Sequence, residues 1–244
     1  KFLGVYQMSS RDFDGVDDLI TAGSNAVLNA VTSVFTVLAW VMMDSASINQ
    51  AITCKGDEDD TNNPFSYYLR INSNNRIHFR TRDIGGNGDD VIGGTTLSAG
   101  VWYFVGGQRV TLGAASRNFV FLNGRTDGLT GPPNNVLRST AAENQLIGCR
   151  RAVNSNTNFF NGKISHLHIY NTLIVSSLQT QIMRIPASIQ SSLVGYWPLW
   201  GGSPEGDYSG YRNNGVVSGT TVSPDNPGVN QMFIAQQPVG EYAF

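Results

Sequence analysis

The chain has 244 residues, 41% hydrophobic and 10% aromatic, with only 14% charged. At this size a fold buries roughly 70 to 75% of the surface its unfolded chain exposes, so a sizeable core is available, and the low charge excludes a coiled coil or a charge-rich disordered chain. With 16 basic against 18 acidic side chains the net charge is −2. No basic field exists for nucleic acid or anionic lipid, and no apolar stretch approaches the roughly 20 residues of a membrane-spanning helix.

In chain order, Lys1 to Met8 alternates Phe2, Gly4 and Tyr6 against Leu3, Val5 and Gln7 and reads as an arm or extra strand over residues 1–10. It lacks the long apolar run of a signal peptide, so the chain reads as soluble and already processed. Period-two or short apolar runs between Gly, Asn, Asp and Pro clusters then predict strands over Phe13 to Thr21, Val34 to Met43, Ala51 to Lys55, Ser66 to Asn72, Arg76 to Arg82, Val101 to Thr111 and Asn118 to Leu122. Further strands follow over Asn144 to Cys149, Gly162 to Tyr170, Leu193 to Leu199 and Gly215 to Val222. Asn74-Asn75 and Asn123-Gly124 are hairpin turns by composition. Only Ser176 to Ile185 has helical spacing, with Leu178, Ile182 and Ile185 on one face after a Ser cap. Many short strands and one short helix predict an all-β, two-sheet antiparallel sandwich. The last segment, residues 224–244, is an aromatic, nearly uncharged tail.

The segments RDFDGVDDLI, FTVLAWVMM, ITCKGD, YYLRINSNNRIHFR, LSAGVWYFVGGQRV, FVFLNGR, NQLIGCR and FFNGKISHLHIYNTLIVSSLQTQI follow one another from Arg11 to Ile185. In that order the chain resembles laminin G-like modules of the concanavalin A-like lectin and glucanase superfamily. The resemblance implies one jelly-roll domain over residues 11–223 that binds carbohydrate or protein at a rim or on the concave face. The departure lies at the end: LVGYWPLWGGSPEGDYSGYRNNGVVSG, Leu193 to Gly219, is similar to what usually opens such a module. Either this segment supplies a permuted first strand to its own sandwich, which the proximity of domain termini permits, or it fills the groove of a neighbouring subunit. The former is preferred. The terminal runs containing Phe2, Val5, Tyr6, Phe233 and Phe244 either dock locally or form an assembly strand on a neighbour.

Glucanases of this superfamily carry Glu-x-Asp-x-x-Glu, whose paired carboxylates stand on one strand face. None of the four glutamates, Glu58, Glu143, Glu205 and Glu241, stands in that arrangement, and Asp57 to Asp60 reads as a solvated loop, so no catalysis is expected. His78, His166 and His168 all lie in predicted strands, and no Gly-x-Ser-x-Gly elbow occurs. His166 and His168 are spaced to share one face, so a two-His metal site is conceivable, but they are read as ordinary strand histidines on a face of mixed polarity. A structural calcium is the one cofactor considered. Asp14, Asp17 and Asp18, Asp89 and Asp90, and Asp207 offer hard oxygens, although Asp-Gly and Asn-Gly turns need no metal.

A sugar site needs an aromatic platform flanked by planar hydrogen-bonding groups. Trp200, Tyr208, Tyr211, Arg212 and Asn213 beside a Gly-rich loop, and Arg150, Arg151, Asn154 and Asn156 in another polar loop, supply the two candidate rims. Trp40 and Trp102 are read as core. Cys54 and Cys149 either form a disulfide closing about 95 residues, valued at roughly 4 to 5 kcal/mol, or are two buried thiols. Lysine is confined to Lys1, Lys55 and Lys163, and neutral polar residues are abundant. The expectation is a non-catalytic extracellular, cell-surface or virion adhesion module that binds glycan or a surface protein. The alternative is a structural subunit that self-associates through its terminal strands.

Overall fold

A computed structural model describes residues 9–31, 33–57, 66–82, 88–111, 117–130, 137, 143–152, 155–186, 188–189 and 191–229. Its strands are β1 (Ser10–Asp14), β2 (Leu19–Thr21), β3 (Phe35–Met43), β4 (Gln50–Lys55), β5 (Tyr67–Ile71), β6 (Ile77–Arg82), β7 (Gly88–Ile92), β8 (Tyr103–Val110) and β9 (Arg117–Leu122). They continue as β10 (Arg125–Leu129), β11 (Gln145–Ile147), β12 (Arg150–Ala152), β13 (Ser155–Thr157), β14 (Asn161–Tyr170), β15 (Leu193–Trp197), β16 (Val216–Ser218) and β17 (Thr221–Ser223). Two helices, α1 (Ala26–Asn29) and α2 (Ser176–Arg184), accompany them. The first sheet runs β10-β9-β8-β3-β14-β1-β17 with β15 also on β14, the second runs β16-β2-β11-β4-β5-β6-β7, and β12-β13 form a small ribbon. The fold is the expected antiparallel β-sandwich.

Alternation places the core. Phe35, Val37, Ala39, Val41 and Met43 of β3 point between the sheets, where they meet Leu69 and Phe79 of the second sheet. Leu38 on the other face packs with Phe104, Tyr170 and Ile182 beneath α2. Covered on both sides, β3 is apolar throughout except at Thr36, whose hydroxyl donates to the Thr172 carbonyl at 2.9 Å. Trp40 packs on this outer cluster, and its indole donates to the Met183 carbonyl at 3.2 Å. Trp102 is half-buried and precedes β8 rather than lying in it. The Asn123-Gly124 hairpin forms as expected, with φ of 50° and 77°, and β9 is an interior strand. Asn75 likewise takes positive φ in the β5–β6 turn.

Two expected strands are each broken into two. Phe13 to Thr21 divides into β1 in the first sheet and β2 in the second, and Gly215 to Val222 divides into β16 and β17. The halves pair, Val217 with Ile20 and Val222 with Arg11, so two bent ribbons cross together from one sheet to the other. Gly219, at φ +78°, turns the second corner, where a Cβ would stand 1.8 Å from Asp18 Oδ1. Alternating polarity cannot report such a bend, because both halves keep a period of two.

Helix α2 also differs in detail. Its cap position is Val175, which offers no side-chain acceptor, and Ser176 is the first helical residue. Gln179 and Ile182 are its buried residues, with Leu178 partly buried beside them. α1 escapes the sequence reading because it has a single turn. Its cap is Asn25, whose Oδ1 accepts from Val27 and Leu28 amides at 3.1 Å each.

The C-terminal strands pair with their own chain: β15 with β14, β16 with β2 and β17 with β1. One edge of β14 is thus shared, β1 taking Asn161 to Ile164 and β15 taking Leu167 to Tyr170. Between them, against β3, Ser165 faces Trp40 and His168 faces Leu38, so β14 holds one extra residue in a bulge where His166 has φ 51°. The bulge resolves the mixed face in the sequence. Ile164, Leu167 and Ile169 all reach the inter-sheet core, while His166 and His168 both stack near Tyr196. A buried ion pair ties the C-terminal segment to the first strand. Arg11 Nε donates to Glu205 Oε2 at 2.9 Å, and its other nitrogens donate to Thr220 and to the Gly202 carbonyl.

Candidate functional site

The loop after β15 presents the aromatic residues of the first candidate rim. Two carboxylates pin it from within. Glu205 Oε1 accepts from the Trp200 amide at 2.8 Å, and Oε2 accepts from the Gly201 amide at 3.3 Å as well as from Arg11. Asp207 Oδ1 accepts from the amides of Tyr196 and Ser209, both at 2.9 Å, and Oδ2 from the Ser209 hydroxyl and the Asn213 amide, again at 2.9 Å. Asn213 adds its side-chain amide to Asp207 Oδ2 at 3.0 Å, and its carbonyl accepts from the Trp197 indole at 2.8 Å. Both Asp207 and Asn213 are buried. Their role is to hold the loop, which corrects the expectation that Asn213 faces a ligand and Asp207 a cation.

On that frame Tyr208 and Tyr211 are 39% and 50% exposed, Arg212 is exposed and Trp200 is half-buried. The Trp200 and Tyr208 rings lie 5.6 Å apart at 54°, and His166 stands edge-on to Trp200 at 6.2 Å. Trp200 Nε1 is buried without an acceptor. Of the five residues expected here, Trp200 and Tyr208 are in ring contact, Tyr211 and Arg212 are exposed in the same loop, and Asn213 is buried.

Behind the loop lies a buried aromatic column. His166 Nδ1 meets the Tyr196 hydroxyl at 2.9 Å, and His168 stacks on Tyr196 at 4.4 Å, with its Nε2 on the Pro186 carbonyl at 2.8 Å. Burial drives both imidazoles toward neutrality, His166 down to about 3 and His168 down to about 4. They are structural histidines rather than a metal pair.

Arg150 and Arg151 lie instead against the second sheet. Arg151 Nε is 3.3 Å from Asp57 Oδ2 and 4.0 Å from Glu143 Oε2, and the Arg150 guanidinium lies 5.9 Å from the Tyr68 ring. Asn154 is outside the described residues, as are Phe2, Val5, Tyr6, Phe233 and Phe244 of the terminal runs. Asn156 is exposed in β13.

Of the acidic candidates, the structure brings together Asp14, Asp17 and Asp18, whose carboxylate oxygens lie within 4.8 Å of one another. Burial, and then the charges of Asp14 and Asp17, raise the pKa of Asp18. This donor set suits a hard cation in kind, but turn geometry already uses part of it. Asp14 Oδ1 accepts from the Val16 amide at 2.8 Å, and Asp18 Oδ2 from the Asp14 amide at 3.0 Å. Asp89 and Asp90 are committed elsewhere, to Arg109 at 3.5 Å and to His78 at 2.6 Å. Cys54 and Cys149 are free, buried thiols rather than a disulfide, and burial pushes both up to about 12.

Comparison with known proteins agrees with this architecture. No curated protein matches the chain in sequence. Among solved structures, a Bacteroides ovatus protein named as a candidate carbohydrate binder superposes with a TM-score of 0.67 at 19% identity over 90% of this chain. This chain spans 60% of that protein. The heptameric SAP-like pentraxin of Limulus polyphemus gives 0.58 at 12% identity, over 89% of this chain and 95% of its own. The CBM40 of Ruminococcus gnavus IT-sialidase, bound to α2,3-sialyllactose, gives 0.56 at 12% identity, over 71% of this chain and 97% of its own. A laminin G-like family profile matches residues 14–177, more than half of the chain. Profile and two-sheet topology coincide, and the chain belongs to the concanavalin A-like lectin/glucanases superfamily.

Proposed function

We propose that the chain is a non-catalytic carbohydrate-binding module whose platform is the loop bearing Trp200, Tyr208 and Tyr211. The observation that carries this reading is the pairing of exposed aromatic rings with a frame fixed by two buried carboxylates. Pyranose C–H faces pack on such rings, and a loop already ordered loses little entropy on binding. Arg212, exposed in the same loop, supplies donors beside the platform. The absence of catalysis is supported at the same place, since Glu205 and Asp207 are used up as acceptors for backbone amides and Arg11. Similar structures named for carbohydrate binding favour the same class. The neutral polar composition favours a place outside the cell or on a virion.

The test is a glycan array followed by calorimetry. Trp200→Ala and Tyr211→Ala, checked for folding by circular dichroism, are expected to weaken the best glycan about tenfold or more. Unchanged affinity in both folded variants would contradict the platform. A second reading, self-association through the chain ends, is favoured by one observation: Ser10 pairs with Ser223 and its hydroxyl donates to the Asp225 carbonyl at 2.7 Å, so both ends leave one edge of the first sheet. Light scattering of a Phe2→Ser/Tyr6→Ser variant tests it. Particle size should fall to the monomer, and unchanged size would argue against this arm.

A further inference from the structure

At one edge the first sheet ends in the β9–β10 hairpin. The aromatic loop follows β15 and is tied to Arg11 of β1, near the opposite edge. Five strand spacings separate β10 from β1, roughly 25 Å.

β10 does not pair evenly with β9. Thr126 faces Phe121 and Gly128 faces Val120, so Asp127 is an extra residue in a bulge. A bulge at a sheet edge re-aims a side chain, and this one carries the Asp127 carboxylate to the loop after β7. The Thr95 hydroxyl donates to Asp127 Oδ1 at 2.6 Å, the Thr95 amide to Oδ2 at 3.3 Å, and the Gly94 amide to the Asp127 carbonyl at 3.0 Å. Gly93 makes room for the carboxylate, since a Cβ there would stand 2.1 Å from Asp127 Oδ2. The turn is fixed as well. Asn123 Oδ1 accepts from the Phe104 amide at 3.0 Å, and Gly124 lies so close to α2 that a Cβ would stand 2.6 Å from Thr180 Oγ1.

Between hairpin and loop is a cavity of about 520 Å³, lined by Thr95, Leu122, Asn123, Arg125, Thr126 and Asp127. That size falls within the roughly 300 to 1,000 Å³ of small-molecule sites. Asp127 differs from the buried Asp207: it is half-buried and takes its side-chain hydrogen bonds from Thr95 alone, so both oxygens keep acceptor capacity. Arg125 is exposed and has no ion-pair or hydrogen-bond partner for its side chain among the described residues. With Oδ1 engaged, Asn123 still has its Nδ2 donors, and the exposed Thr126 adds a hydroxyl.

The balance of charge sets the ligand class. One carboxylate and one guanidinium share the cavity, so an anion is opposed by Asp127 and a cation by Arg125. A neutral ligand rich in hydroxyls meets neither penalty. The carboxylate accepts from adjacent hydroxyls, while the planar guanidinium and the Asn123 amide donate to their oxygens. No aromatic ring is among the lining residues, so such a ligand is held by its hydroxyl edge rather than its face.

We infer that the cavity between the β9–β10 hairpin and the 93–95 loop binds vicinal hydroxyls of a neutral sugar, Asp127 accepting and Arg125 and Asn123 donating, as a second saccharide site apart from the aromatic platform. That the polyol is a sugar rests on the function proposed above; the neutral, hydroxyl-rich chemistry rests on this cavity alone.

Two-dimensional amide spectra of the labelled protein test the inference, with methyl glucoside, methyl galactoside and methyl mannoside each titrated to tens of millimolar. At least one should move the signals of Thr95 and of Asn123 to Asp127, and those shifts should persist in Trp200→Ala. Asp127→Asn, and Arg125→Gln at an exposed position that leaves the sheet intact, should each weaken that binding about tenfold. Hairpin signals that stay still with every glycoside, or that move equally well in both variants, overturn the inference. So does galacturonate bound more tightly than methyl galactoside, because the ligand would then be an anion. Loss of the hairpin shifts in Trp200→Ala would reveal one site instead of two and also overturn it. If the hairpin is silent while an array glycan still binds through Trp200, only the inference has failed. If no saccharide binds anywhere, the carbohydrate reading has failed with it.

Discussion

The two outer faces of this sandwich are finished in opposite ways. Behind the first sheet, Leu38, Phe104, Tyr170 and Tyr196 lie under Ile182 of α2, and His168 among them has no exposed surface. Behind the second sheet no helix is packed among the described residues, and Tyr68 is attended by guanidinium groups instead. A histidine records the difference on each side. His168, stacked on Tyr196, is pushed down to about 4 by burial, and burial also lowers His78, which is however held between Arg70 and Asp90 rather than among aromatic rings. Where the chain supplies a helix, polar groups become structure. Where it supplies arginines, the central tyrosine is buried beneath charged groups instead of apolar ones.

The comparison breaks most visibly in stability. Ile182→Ala should cost about 2 to 5 kcal/mol in urea unfolding, because a fully buried contact of the sealed face is lost. Arg80→Ala on the open face should cost less than about 1 kcal/mol. Equal losses would show that the second face is also structural. Next in size, Gly219→Ala should cost more than about 1 kcal/mol, since positive φ and contact with Asp18 both oppose the methyl group.

Acid sharpens the contrast. His166 and His168 have folded values of about 3 and about 4, below the unfolded value of about 6.5. The unfolded chain therefore takes up protons first, and stability is full above pH 6.5 and falls as pH drops from there toward 3. Urea midpoints should follow that slope, and a His168→Gln variant should show a shallower one. An identical slope would mean that this imidazole is not kept neutral. The smallest effect concerns the thiols: Cys54 and Cys149 should be silent toward Ellman's reagent in the native protein, and both should react in urea. Silence in urea would reveal a disulfide.

Much of the fold was legible because its signals are local. Period-two runs marked most strands, and Asn123-Gly124 marked its hairpin, since each rests on the preferences of adjacent residues. The bends at Gly15 to Asp18 and at Gly219, and the bulge at His166, were not legible, because they depend on which sheet receives each half-strand. The aromatic loop was found by residue type, yet Asp207 and Asn213 were misread there. Composition cannot tell a carboxylate turned inward to backbone amides from one turned outward to a ligand. The Tyr68 cluster was missed although YYLRI and IHFRTR place Tyr68, Arg70, His78 and Arg80 on matching parity. Only the pairing of β5 with β6 brings them to one surface.

The indole N–H signals in a two-dimensional NMR spectrum test the glycan platform most directly, because the chain has only 4 tryptophans. On titration with the best array glycan, the Trp200 signal should move, its ring lying against Tyr208 at the platform, while the Trp40 signal, bonded to the Met183 carbonyl on the sealed face, stays fixed. Movement of Trp40 with Trp200 unmoved would contradict the account.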